Sequence, residues 1–122
     1  MMRIKKIDWI TQDALEAEVV VTDGEFEITC FAQPLYHQEG SVLKAPIYCY
    51  NATHVIKLDK EIFSIEKQGE YFAYNLSGKL VDQRLGIVMI GKLLLELDNN
   101  ILPGDIKEGD YISFSCPRLD LI

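Results

Sequence analysis

The sequence predicts an all-β fold, a small antiparallel barrel or sandwich of roughly six to eight short strands with little helix. Three observations predict it. Apolar and polar residues alternate wherever a period is readable, turn residues punctuate the chain, and no segment sustains the i, i+3, i+4, i+7 apolar spacing of a capped helix. A length of 122 residues suits one domain, and 48% hydrophobic residues fill one ordinary core. The expectation is a single folded unit over 1–122.

Met1 to Ile10 combines Arg3, Lys5 and Lys6 with Ile7, Asp8 and Trp9, without the apolar run or small-residue cleavage site of a secretion signal. No strand is assigned there. Ala14 to Ala32 carries the clearest local pattern, two alternating runs around Asp23-Gly24, a dipeptide suited to a two-residue type I′ turn. Such a turn sets Val21 opposite Phe26, Val19 opposite Ile28, Ala17 opposite Cys30 and Leu15 opposite Ala32, all apolar pairs on one buried face. Glu16, Glu18, Val20, Thr22, Glu25, Glu27, Thr29 and Phe31 then share the outer face.

Gln33 to Ser41, with Pro34 and Gly40, reads as a loop. Ile47 to Leu58, rich in β-branched and aromatic residues, reads as one strand beginning after Pro46. Glu61 to Glu66 and Glu70 to Leu76 flank Lys67-Gln68-Gly69 as a second hairpin, with Ser77-Gly78 ending it. Lys79 to Arg84 fits either a short helical turn or a continued strand. Leu85 to Leu97 exceeds a typical strand and has Gly91 in its middle, so a bulge, a sharp bend or two strands are expected. It is also too short and too charged for a membrane-spanning helix. Asp98-Asn99-Asn100 forms a turn, and Tyr111 to Cys116 forms a last strand with Ile112, Phe114 and Cys116 on one face. After Pro117, Leu119 and Leu121 carry the apolar phase at the opposite parity.

Glu108-Gly109-Asp110 leading into Tyr111 resembles the Gly-Asp lead-in to a strand of OB-fold and related RNA-binding barrels. The resemblance covers about a tenth of the chain and implies an OB-like small barrel.

Nineteen Asp and Glu against twelve Lys and Arg give a formal net charge of −7, which repels nucleic-acid phosphates and anionic membranes and attracts a basic partner. Cys30, Cys49 and Cys116, odd in number and widely spaced, suit a reducing, cytoplasmic setting as small buried hydrophobes. Cys30, His37, Cys49 and His54 have the side chains of a Cys₂His₂ zinc site but not its paired spacing, so no metal and no cofactor are expected. No nucleophile–base motif, zinc-protease motif or phosphate loop is present. The densest charge is the first hairpin's Glu16, Glu18, Asp23, Glu25 and Glu27, a docking face for a basic protein. In size and acidity alone the chain is similar to immunity proteins that neutralise basic toxins. Tyr48, Tyr50, Tyr71 and Tyr74 supply a second reading, an OB-like platform stacking the bases of single-stranded nucleic acid. A third is an enzyme or small-ligand carrier with its site in the barrel mouth. The leading expectation is a non-enzymatic interaction module with a protein partner.

Overall fold

A computed structural model describes residues 1–69 and 72–121 of the chain. Twelve strands form one sheet: β1 (Met2–Thr11), β2 (Glu16–Thr22), β3 (Glu27–Ala32), β4 (Val42–Leu43), β5 (Ile47–Tyr50), β6 (Thr53–Lys57), β7 (Ser64–Gln68), β8 (Ala73–Asp82), β9 (Ile87–Ile90), β10 (Leu93–Glu96), β11 (Tyr111–Cys116) and β12 (Arg118–Leu121). A 3₁₀ turn over Asn99–Ile101 is the one helical element among the described residues, and none is long and apolar enough to cross a membrane. The all-β class is therefore established. The strands outnumber the expected six to eight because several apolar runs are cut by turns.

Across the sheet the order is β4-β1-β2-β3-β12-β5-β10-β9-β8-β11-β6, with β7 also paired to β8. Among the described residues the path does not close. Most pairs are antiparallel, but β5–β10 and β3–β12 are parallel, so the sheet is mixed. Its inner surface is one core, with Val19, Ile47, Leu80, Leu93, Leu95, Ile112 and Leu119 fully buried. Two bonds draw separate parts of the sheet together: Tyr74 Oη accepts the Thr29 N–H at 2.9 Å, and Met2 Sδ accepts the Leu94 N–H at 3.3 Å.

The first hairpin forms with a register two residues away from the expected one. Val21 faces Ile28, Val19 faces Cys30 and Ala17 faces Ala32. The Asp23 side chain decides this. Its Oδ1 accepts the N–H groups of Glu25 and Phe26, and the Phe26 carbonyl accepts from Thr22 Oγ1 and the Asp23 N–H, so the connection holds four residues. A shift of two keeps the paired strand residues Ala17, Val19, Val21, Ile28, Cys30 and Ala32 on their expected face. Phe26 leaves the strand pair and packs edge-on against Phe63 at 6.1 Å. Thr22 is buried, not outward, and Leu15 sits in the preceding turn at φ 54°.

Other boundaries moved for local reasons. Ile47 to Leu58 is two strands, β5 and β6, divided where Asn51 adopts φ 52°. Leu85 to Leu97 is a hairpin, in which Gly91 supplies the φ of 58° that its first turn position needs and Ile90 faces Leu93. Gln68 faces Ala73, so Lys67 and Gln68 are strand residues and not turn residues, while Glu70 and Tyr71, expected to begin the second strand, lie outside the described residues. Gly78 does not end β8, which runs on to Asp82 and makes Lys79 to Asp82 of the open segment strand, with Gln83 and Arg84 in the turn that follows. A Cβ at Gly78 would stand 2.5 Å from the Met89 carbonyl oxygen, so this glycine permits close backbone approach inside a strand. The unassigned N-terminus is β1, hidden from a period-two reading by a register shift between Ile4 and Lys6. Tyr111–Cys116 lies within its expected bounds, and the phase change across Pro117 is real: β12 buries Leu119 and Leu121.

Candidate interaction face

On β2, Ala17, Val19 and Val21 enter the core, which turns Glu16 and Glu18 outward. In-register pairing continues that outer surface across the sheet. Glu18 faces Phe31 on β3, Phe31 faces Asp120 on β12, and Asp120 faces Tyr48 on β5. One row therefore reads acid, aromatic, acid, aromatic over four neighbouring strands. Asp8 of β1 faces Glu18 on its other side, setting two carboxylates opposite each other at a cost to sheet stability.

Two residues from Asp120, Arg118 points to the same face and folds back onto it. Its Nε donates to Asp120 Oδ1 at 2.6 Å and its Nη2 to Asp120 Oδ2 at 3.2 Å. Its guanidinium carbon is 4.8 Å from the Phe31 ring centroid and 4.8 Å from that of Tyr50. The Asp120 bond, outweighing partial burial, raises the Arg118 pKa and keeps the cation charged. Phe72 closes edge-on upon Phe31 at 6.0 Å. Beside the stack lies a groove of 470 Å³ walled by Phe31, Gln33, Pro34, Tyr36, Arg118 and Asp120. Tyr36 stands 76% exposed at its rim. Tyr48 donates to the Asp98 carboxylate at 3.0 Å, and burial followed by this bond raises its hydroxyl pKa.

The five acids of the first hairpin do not act as one group. Glu16 and Glu18 share the outer face and Glu25 is exposed at the turn. Glu27 is ion-paired with Lys5. Both Asp23 oxygens are engaged, Oδ2 accepting the Lys92 N–H at 2.7 Å, which makes Asp23 a structural carboxylate. Burial pushes its pKa up, but the bonds from Lys92, Phe26 and Glu25 outweigh this and lower it.

The tyrosine set also divides. Tyr48 and Tyr50 are two apart on one face of β5, with Tyr50 42% exposed. Tyr74 faces inward at 5% exposure, and Tyr71 lies outside the described residues. Cys30, Cys49 and Cys116 are all buried as free thiols, Cys116 donating to the Arg118 carbonyl at 2.9 Å, whereas His37 and His54 are exposed. Burial pushes the Cys30 and Cys49 thiols up; the neighbouring Cys49 side chain lowers that of Cys116. Among the described residues no three metal-ligating side chains come together. Ser64, Ser77, Ser113 and Ser115 line a separate 260 Å³ groove with His54 and Glu66. There His54 Nδ1 is bonded to Thr53 Oγ1 and Ser115 Oγ to Asn75 Oδ1.

No family model matches this chain. No curated protein and no solved structure matches it either. Its site is thus read from geometry. The residues that sequence reasoning missed are Arg118, Asp120 and Tyr36. The outward parity of Phe31 was readable in the hairpin, but its meeting with Arg118 depends on parallel pairing between β3 and β12, which no local signal announces.

Proposed function

We propose that this chain is a protein-interaction module that docks a basic segment of a partner on the outer face of β2, β3, β12 and β5. The single observation that carries the reading is the in-register row Glu18, Phe31, Asp120 and Tyr48 beside a 470 Å³ groove. Carboxylates attract Lys and Arg side chains, while neighbouring aromatic rings bind the same cations through their faces. A net charge of −7 adds long-range attraction for such a partner. Glu16 and Glu25 extend the acidic rim; Glu27 joins it only by releasing Lys5. A cytoplasmic setting accords with the free thiols Cys30, Cys49 and Cys116.

Binding of single-stranded nucleic acid by an OB-like face is the second reading, favoured by Tyr48 and Tyr50 lying together with Arg118 over Tyr50. Titrating the ¹⁵N-labelled protein with hexalysine, and separately with a short oligothymidine, distinguishes the two. The docking reading expects hexalysine to shift the signals of Glu18 and Phe31 in a salt-sensitive manner, and Glu18→Lys to weaken that response. Shifts at Tyr48 and Tyr50 with oligothymidine, and none with hexalysine, would overturn it in favour of nucleic acid.

A further inference from the structure

We infer that Phe31, Tyr50 and Asp120 form a guanidinium receptor that the chain's own Arg118 occupies, and that an arginine of the basic partner enters by displacing it. This rests on the docking reading above and adds the partner's anchor residue. The structure already holds the ligand class in place. One planar cation lies 4.8 Å from each of two ring centroids and is gripped in a fork by one carboxylate. Rings and carboxylate come from β3, β5 and β12, so the receptor is set by strand pairing, whereas its occupant is attached by a flexible side chain.

The occupant is replaceable. The Arg118 side chain is 39% exposed while that of Asp120 is 17% exposed, so the pair is part-buried but its cation stays open to solvent on one side. Arg118 and Asp120 both line the open groove, so an incoming segment reaches the receptor while Arg118 swings away within its own rotamers. β12 need not unpair for this. Lysine is a poor replacement, because a compact ammonium can neither fork onto Asp120 nor stack flat between Phe31 and Tyr50. The receptor therefore selects an arginine-bearing segment over a lysine-bearing one, with Glu18 and Glu16 receiving the flanking positive charge.

An internal cation that fills the receptor about nine-tenths of the time reduces apparent affinity about tenfold. Arg118→Ala should therefore bind hexaarginine roughly tenfold more tightly than the unmodified protein, and the double variant Arg118→Ala with Asp120→Asn should lose that gain. In the unmodified protein, saturating hexaarginine should move the Arg118 Nε–H signal from its ring-shielded, bonded position to that of a free arginine, whereas hexalysine should leave it in place. The Nε–H measurement needs no variant and decides the question even if Arg118→Ala fails to fold. An Nε–H signal unmoved by hexaarginine, or an Arg118→Ala variant that binds no more tightly, would overturn the displacement. If Glu18 and Phe31 still respond to hexalysine in that case, the docking reading survives alone. If neither peptide shifts any signal on this face, both fall.

Discussion

Tyr74 receives the Thr29 N–H on its hydroxyl at 2.9 Å, joining β8 to β3, strands that are not neighbours in the sheet. Strand β12 pairs with β3 only at Phe31 and Ala32, so the backbone at Thr29 finds its partner in a side chain instead of a ladder. A buried donor left without an acceptor costs more than a hydrogen bond normally contributes. Tyr74→Phe keeps the ring and removes the acceptor, and should destabilise the protein by about 1–3 kcal/mol in urea unfolding. An unchanged midpoint would show that this seam does not hold the sheet together.

Gly78 is tested by adding one methyl group. Its Cβ would meet the Met89 carbonyl oxygen at 2.5 Å and the side chains of Ile90 and Val88 at 2.8 and 2.9 Å, and a backbone oxygen cannot turn aside. Gly78→Ala should cost roughly 1–3 kcal/mol despite the better strand propensity of alanine. A stabilised variant would mean that β8 and β9 lie farther apart than described.

The two candidate anchors of the first hairpin should differ. Ile28 is fully buried opposite Val21, so Ile28→Ala should cost about 2–5 kcal/mol. Phe26 is only partly buried, and Phe26→Ala should cost less, roughly 1–2 kcal/mol, mostly from the lost contact with Phe63. A two-residue turn would set Phe26 in the strand pair and make its loss at least as severe. Comparing the two variants by thermal unfolding therefore reports the register directly.

Asp23 should leave a signature in acid. Its folded-state pKa is lowered by N–H groups donating to its carboxylate, so its stabilisation is present at neutral pH and is lost as pH falls through that lowered value. Asp23→Asn cannot accept on both side-chain termini and should cost about 1–2 kcal/mol at pH 7, reduced by partial exposure. The gap between the two proteins should narrow on titration below about pH 4. A constant gap across the acid range would show that charge plays no part in holding this turn.

Much of the fold was determined by sequence alone, because side-chain period is a local property. Alternation over Ala14 to Ala32 determined that Ala17, Val19, Val21, Ile28, Cys30 and Ala32 enter the core, though not the places of Leu15, Thr22 and Phe26, and that part survived a register shift because two steps along a strand restore the face. Tyr111–Cys116 and the phase change after Pro117 were legible for the same reason. The register itself follows from how the Asp23 carboxylate bonds its own turn, which side-chain period does not record, and tertiary structure adds the Lys92 N–H from another hairpin to its other oxygen. Tertiary structure decided the position of β1, where a bulge conceals the alternation, and the parallel pairing of β12 with β3. The candidate site follows that division. The acidity of Glu16 and Glu18 and their outward direction belong to the sequence. The meeting of Glu18, Phe31, Arg118 and Asp120 does not, because hydrogen-bonded strands far apart in the chain bring them together, and residue spacing carries no record of which strands will pair.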